Sequence, residues 1–252
     1  MKKSILFTLI VMVPFISACC PITCPTGLPG GIFEETSITG SGNVVTREEN
    51  LSGFDKVDVS HAFSVDISQG DSFSVVIRVD DNLEQYLEVV KQGSTLKIGL
   101  RPGRSYNLSN ATLEAEVTMP ELTGLDLSGA SHATIAGFKS TKALDVEVSG
   151  ASSLRGDIEA GNARLDVSGA GQVRLTGSGQ DLTLDASGAS QVDLADFPVG
   201  DASVEVSGAS RATVYPSGRL DADASGASHV SYLGSPTLGT VETSGGSSIE
   251  GK

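Results

Sequence analysis

Seven acidic residues recur at one phase of this chain: Asp126, Glu147, Asp166, Asp185, Glu205, Asp223 and Glu242. Each stands two residues before the serine that opens a Ser-Gly-Ala-Ser beat or a close variant of it. The beats open at Ser128, Ser149, Ser168, Ser187, Ser207, Ser225 and Ser244. Carboxylates at a fixed phase of a repeat stack in space if the repeats stack. A column of hard oxygen ligands could gather divalent cations or a cationic partner. Neighbours about 5 Å apart also repel by about 1 kcal/mol per pair even in bulk water. The plainer reading is therefore a solvated face that blocks edge association, tempered by Arg155, Arg164 and Arg174 nearby.

Other chemistry is thinner. His132 and His229 share one repeat phase but lie five repeats apart, roughly 24 Å by strand spacing, too far to share a metal. His61 occupies another column. The repeat serines form a column too, so none is singled out as a nucleophile, and no His-Asp partner attends any of them. The Gly-Gly-x-Gly-x-Asp turn of calcium-binding β-rolls is missing. Cys19, Cys20 and Cys24 are the three cysteines. Cys20 and Cys24 could pair in an oxidising compartment, whereas two thiols without a nearby histidine do not fill a zinc site.

These residues need an element that repeats every beat. The serine-to-serine spacings are 21, 19, 19, 20, 18 and 19 residues, a period that signals stacked supersecondary units. Apolar or small residues flank each beat at alternate positions, as in Leu165 and Val167 before it and Val173 and Leu175 after it. Period-two alternation on both sides of Gly-Ala predicts two short strands joined at a corner. The expected fold class is all-β: a right-handed parallel β-helix of about 19–20 residues per rung over 122–252. Parallel crossovers favour that hand, and the hexapeptide pattern of left-handed helices is missing. Glycine permits the corner; the alanine after it is small enough to stack inside.

Residues 42–121 read as N-terminal strands and a β-rich cap over the open end of the solenoid. Val57-Asp58-Val59-Ser60 aligns with the beat strands as a degenerate first coil, and places Asp58 in the acidic column. Strands are predicted at 73–79, 95–100 and 113–119. Residues 81–93 predict one short helix, with Leu83, Tyr86, Leu87 and Val90 on one face, Asp81 as its cap and Gly93 as its stop. Residues 101–110 predict a polar loop.

The N-terminus reads as an address. Lys2 and Lys3 precede an apolar run over 4–16 that is too short for a membrane span and reads as an export signal. Ile16-Ser17-Ala18-Cys19 resembles the bacterial lipobox, which implies cleavage after residue 18 and lipidation of Cys19. Residues 1–18 are then a lipoprotein signal peptide and 19–41, rich in Pro and Gly, a lipid-anchored flexible tether. Residue 20 is not Asp, so the inner-membrane retention signal is missing, and no acidic run follows. The expected location is the cell envelope, at the outer membrane.

Composition narrows the partners. There are 17 basic against 31 acidic residues, a net charge of −14, so nucleic acid is an unsuitable partner. Aromatics make up 5% and Trp is absent, which suits a thin core and offers no Trp for sugar stacking. Residues 43–48 (Asn-Val-Val-Thr-Arg-Glu), the Phe54-Asp55-Lys56-Val57-Asp58-Val59 strand, Asp81-Asn82-Leu83 and the Ser-Gly-Ala-Ser rungs together resemble the GIN-domain head family of auto-transporter adhesins. That resemblance spans about residues 42–250 and implies a right-handed parallel β-helix in an envelope lipoprotein with no established activity. No auto-transporter barrel is expected after Lys252. The expected function is non-enzymatic: a rigid binding or adhesion module with an acidic face, docking an envelope protein or surface glycan, with no cofactor. The alternative is a carbohydrate-active β-helix enzyme, which would need long loops on one side and clustered catalytic groups. If the acidic column gathers divalent cations, millimolar calcium raises the melting temperature above that of a matched salt control. An equal effect of the two salts leaves only the solvated face.

Overall fold

The computed structural model describes residues 35–252. The signal peptide over 1–18, the proposed lipidation of Cys19 and the Cys20–Cys24 pairing lie outside the described residues. Among the described residues there are 23 strands and one short 3-10 helix, and no helix is long and apolar enough to cross a membrane.

The repeat folds as a two-sheet β-solenoid. The strand before each beat joins a 10-stranded first sheet, and the strand after it joins an 11-stranded second sheet. Successive coils pair in parallel: Leu144–Val148 on Ala163–Val167, that strand on Leu182–Ala186, and so on upward. The alternating residues turn inward and make one continuous thin core, as in Leu165, Val167, Val173 and Leu175. Its largest fully buried side chains are Phe63, Phe138 and Phe197. At the far end, Leu238 and Val241 of the last coil remain 50% and 41% exposed.

The corner differs from expectation in one respect. Gly129, Gly150, Gly169, Gly188, Gly208, Gly226 and Gly245 all take left-handed backbone, with φ between 69° and 77°. That bend throws the glycine and the following alanine outward, so Ala130, Ala151, Ala189, Ala209 and Ala227 are exposed. The second serine swings back inside instead. Ser131, Ser152, Ser190, Ser210 and Ser228 are buried. Ser131 Oγ donates within its own corner to the Ser128 carbonyl at 2.8 Å, and Ser228 Oγ donates to the Val206 carbonyl of the coil below at 3.0 Å. Serine is small enough for the inner corner and carries its own donor, which a buried corner with curved backbone requires.

The cap is β-rich, as expected, and carries one short 3-10 helix. Lys56–Val59 and Ser64–Gln69 form the degenerate coil, in register with Gly124–Leu127 and His132–Lys139 above. Thr95–Leu100 and Leu113–Met119 form a further coil beneath it. The chain therefore builds two coils out of order, and residues 120–123 climb past one rung to reach Gly124; Thr123 N donates to the Asp55 carbonyl on the way at 2.8 Å. Antiparallel strands close both sheets at this end. Ser74–Asp80 pairs with Leu113–Met119 and with Val44–Glu48, and Leu87–Gln92 pairs with Thr95–Leu100. The predicted helix over 81–93 is thus a 3-10 turn, Asp81–Tyr86, followed by a strand. The sheet edge wins because a hairpin through Gly93 satisfies its row of open amides and carbonyls, and Val89-Val90 suits a strand. Asp81 does not cap the turn; its carboxylate accepts from Ser41 Oγ at 2.6 Å and Asn43 Nδ2 at 2.8 Å.

Two further expectations need correction at the N-terminal side. The tether does not run to residue 41, because Glu35–Thr39 is a strand. The 101–110 stretch is not all loop, because Ser105–Ser109 pairs in parallel with that strand. Asp80 pins the arrangement. It is fully buried, and its two carboxylate oxygens accept from Gly42 N at 2.8 Å and Thr112 N at 2.7 Å.

The corner glycines carry a direct prediction. A Cβ at Gly188 would sit 2.5 Å from the Gly169 carbonyl oxygen, at φ +77°. Gly188→Val is expected to cost about 1–2 kcal/mol from the left-handed backbone alone, a fall of roughly 2–8 °C in Tm for a chain this size. Thermal unfolding followed by circular dichroism reads it, and an unchanged Tm would remove the corner's role.

Candidate functional site

The acidic column is in strict register. Asp58 pairs with Asp126, Asp126 with Glu147, and the ladder continues through Asp166, Asp185, Glu205, Asp223 and Glu242. All lie on the outer face of the first sheet, because their neighbours on either side, such as Leu125 and Leu127, point into the core. Alternation along the strand brings a second outward column into play, in which Asp145 adjoins Arg164 and Asp221 lies three coils further on. That column also carries Lys56, so its two acids and two bases balance and the charge of the face comes from the beat positions.

Counter-charges are few, and one lies at the far end, where the Arg219 guanidinium pairs with Asp221 at 2.6 Å. Lys97 Nζ is 3.6 Å from Asp58, and an Arg164 guanidinium nitrogen is 3.8 Å from Asp166. Arg155 and Arg174, expected to temper the ladder, belong to the strands after the beat and sit on the second sheet. Arg174 there reaches Asp193 and Asp196 at 3.7 and 3.6 Å. A beat strand and its successor face opposite ways around the corner, so nearness in sequence does not mean a shared face. Among the described residues, Asp126, Glu147, Asp185, Glu205, Asp223 and Glu242 form no ion pair.

One rung of the ladder is distinct. Gly124 lacks a side chain in the outward column and leaves a groove of about 560 Å³, framed by Lys56, Lys97, Asp126, Glu147 and Arg164. Asp126 stands in it half-buried. Burial, then the carboxylates of Asp58 below and Glu147 above, push its carboxyl up to about 6, with Lys97 opposing. The carboxylates of the ladder project side by side and do not converge. Among the described residues, no three His, Cys, Asp or Glu side chains form a group that could hold a metal ion. The face thus carries a column of carboxylates, one per coil, with one protonatable notch at Asp126.

The histidines fall as follows. His132 and His229 sit five coils apart on the second sheet, and His229 is held by Ser248 and Ser231 hydroxyls at 2.5 and 3.1 Å. His61 takes the corner position that glycine holds in every later coil. Aligning Ser60 with Ser128 exposes that replacement in the sequence; the contribution of Tyr106 and Arg104 beside it comes from an excursion that no periodicity announces.

Comparisons with known proteins agree with this architecture. The profile of a family described as "Putative auto-transporter adhesin, head GIN domain" matches residues 53–236. A crystal structure of a "putative adhesin" from Bacteroides fragilis superposes with a TM-score of 0.79 at 21% identity, covering 85% of this chain and 100% of that one. A "putative lipid binding protein" from Parabacteroides distasonis gives 0.66 at 21% identity, over 86% of this chain and 100% of that one. A "putative adhesin" from Parabacteroides merdae gives 0.65 at 15% identity, over 86% and 99%. At these identities the likeness is one of fold. No curated protein matches the chain.

The Asp126 notch predicts a pH dependence. Its folded pKa, about 6, lies above the ordinary 3.8, so the folded state binds the proton more tightly than the unfolded chain does. The ionised carboxylate opposes folding above pH 6, and that opposition fades as pH falls through 6 and is gone near 4. Asp126→Asn should therefore raise Tm at pH 8 and leave it nearly unchanged at pH 4. A gain that is the same at both pH values would contradict the assignment.

Proposed function

The chain belongs to the head GIN-domain family of auto-transporter adhesins, and on that premise we propose that it is a non-enzymatic adhesion module of the cell envelope. In this reading Cys19 carries lipid and holds the module at the outer membrane, and the acidic face of the solenoid docks a basic protein surface. The lipobox-like Ile16-Ser17-Ala18-Cys19 supports the anchor. Several acyl chains hold stably because each buried methylene contributes about 0.8 kcal/mol. The family description supports a cell-surface or envelope setting and an adhesive role.

The observation that carries the docking surface is the register of the ladder, one carboxylate per coil on a flat, rigid sheet face. Charges at a fixed spacing, most of them outside any ion pair, present a summed field that steers a basic partner to the face. The repeat also lets the face engage an extended partner at several points at once.

Net charge alone would attract cations anywhere, so the test must separate face from total. One variant neutralises four ladder acids: Asp126→Asn, Glu147→Gln, Asp166→Asn and Asp185→Asn. A control neutralises four acids elsewhere: Glu114→Gln, Glu116→Gln, Asp157→Asn and Asp193→Asn. On an immobilised lysine-rich polypeptide at 0.1 M salt, the ladder variant should bind at least tenfold more weakly than the control. Equal losses in the two would remove the ladder as the docking face. Cys19→Ala should shift the protein from the membrane to the soluble envelope fraction; unchanged membrane retention would remove the anchor.

A further inference from the structure

The corner at His61 departs from every later coil. Register places His61 where Gly129, Gly150 and their successors stand. His61 and Ala62 both take left-handed backbone, with φ of 61° and 66°. Side chains resist that conformation, and glycine would adopt it freely. Strain held against an available glycine points to use of the side chain.

The surroundings hold the ring in place. Leu100 N donates to His61 Nδ1 at 3.3 Å, which makes that nitrogen an acceptor, and the Ser60 hydroxyl lies 2.7 Å from it. The ring proton is then on Nε2, which makes no hydrogen bond among the described residues. Gly99 leaves the room for this: a Cβ there would stand 2.3 Å from Ser60 Oγ and 3.2 Å from His61 Nδ1. Burial keeps the imidazole below its ordinary pKa, with Glu88 opposing, so the ring is neutral near pH 7. Tyr106 meets it edge-on at 5.7 Å, and Tyr86 meets Tyr106 at 5.8 Å. Tyr106 is fixed in turn by its hydroxyl, which donates to the Arg101 carbonyl at 2.9 Å.

A wall faces this corner. Later coils turn in four residues, as in 149–152, whereas the coil beneath His61 takes residues 101–112 to pass from Thr95–Leu100 to Leu113–Met119. The strand Ser105–Ser109 in that excursion is braced by Glu35–Thr39. Between wall and corner lies a cleft of about 520 Å³ lined by Ser60, His61, Arg104, Tyr106, Ser128 and Gly129 among others. That size falls in the range of small-molecule sites, roughly 300–1,000 Å³.

The lining selects a ligand class. The Tyr106 ring offers an apolar surface, and the His61 ring, set at 85° to it, offers a polar edge. Serine hydroxyls at 60, 105 and 128 offer neutral donors and acceptors. Arg104 is the one charged group lining the cleft, and a guanidinium pairs with a carboxylate through two parallel hydrogen bonds. A Ser60–His61 nucleophile is not the better use, because nothing among the described residues orients the ring from Nε2 as a catalytic dyad requires. We propose that the cleft between the His61 corner and residues 101–112 binds a carboxylated sugar unit, a hexuronate, of a surface polysaccharide. The pyranose C–H face packs on Tyr106, its hydroxyls meet the serines and the His61 Nε2–H, and its carboxylate meets Arg104.

The test is a titration of the 15N-labelled protein with trigalacturonate and with its methyl ester. Amides of residues 60–62, 104–106 and 128–130 should shift saturably with the acid, and the ester should bind at least tenfold more weakly. His61→Gly should lose at least tenfold in affinity while its Tm is unchanged or higher, since glycine relieves the left-handed backbone. Arg104→Gln should bring acid and ester to equal affinity. Absence of saturable shifts at these amides, or full binding by His61→Gly, would overturn the site. Equal affinity of the original protein for acid and ester would overturn the carboxylate assignment.

Discussion

Each coil of the repeat rests on one backbone contact at the corner. The amide after each glycine donates to the carbonyl of the glycine one coil below: Ala151 to Gly129 and Ala170 to Gly150 at 2.8 Å, then Ala189 to Gly169, Ala209 to Gly188, Ala227 to Gly208 and Gly246 to Gly226 at 2.7 Å. The glycines themselves approach so closely that a Cβ on any of the upper six would stand 2.4–2.7 Å from that same carbonyl. Glycine is therefore required twice over, for the left-handed turn and for the distance. A shift of one residue at this column would turn every side chain of the adjoining strands to the other face. Core, buried serine and outward acid are stacked because the corner is.

Register converts a compositional fact into a physical object. An excess of acid spread over a globule mainly keeps it soluble. The same charges locked one per coil make a linear field on a stiff face, and the capped end adds a groove in which Asp126 titrates abnormally. Nothing about that face converges on a point, which suits attraction of an extended basic surface better than chelation of an ion. The opposite specialisation appears at the His61 corner. There the repeat is broken by a left-handed histidine and a twelve-residue excursion, and a concave, aromatic site results. Regular coils supply a flat face; the irregular cap supplies depth.

The legible part of this fold was whatever recurred. Period-two alternation around Ser-Gly-Ala-Ser located the beat strands, the degenerate coil at Val57-Asp58-Val59 and the outward acids, because those properties follow from spacing alone. What failed had no repeat behind it. Leu83, Tyr86, Leu87 and Val90 fit a helical face, yet an open sheet edge claimed residues 87–92 for a hairpin, since unpaired backbone outweighs a weak helical preference. The tether and the 101–110 loop each look polar and turn-rich by composition. Their parallel pairing at 35–39 and 105–109 is a long-range contact that local pattern cannot express. The inner corner residue is serine and not the expected alanine, because the left-handed glycine redirects the chain and turns the alanine outward. His61 was visible in the alignment as a substitution, but its meaning depends on Tyr106, which only the fold brings near.

The most direct measurement of the central claim, that corner register couples carboxylates of adjacent coils, is an NMR titration of the Asp126 side-chain carboxyl in the original chain and in Glu147→Gln. The structure predicts a midpoint near 6 in the original chain and a lower one once the carboxylate on the coil above is neutral. An Asp126 carboxyl that titrates near the ordinary 3.8, unmoved by Glu147→Gln, would contradict the stacked ladder.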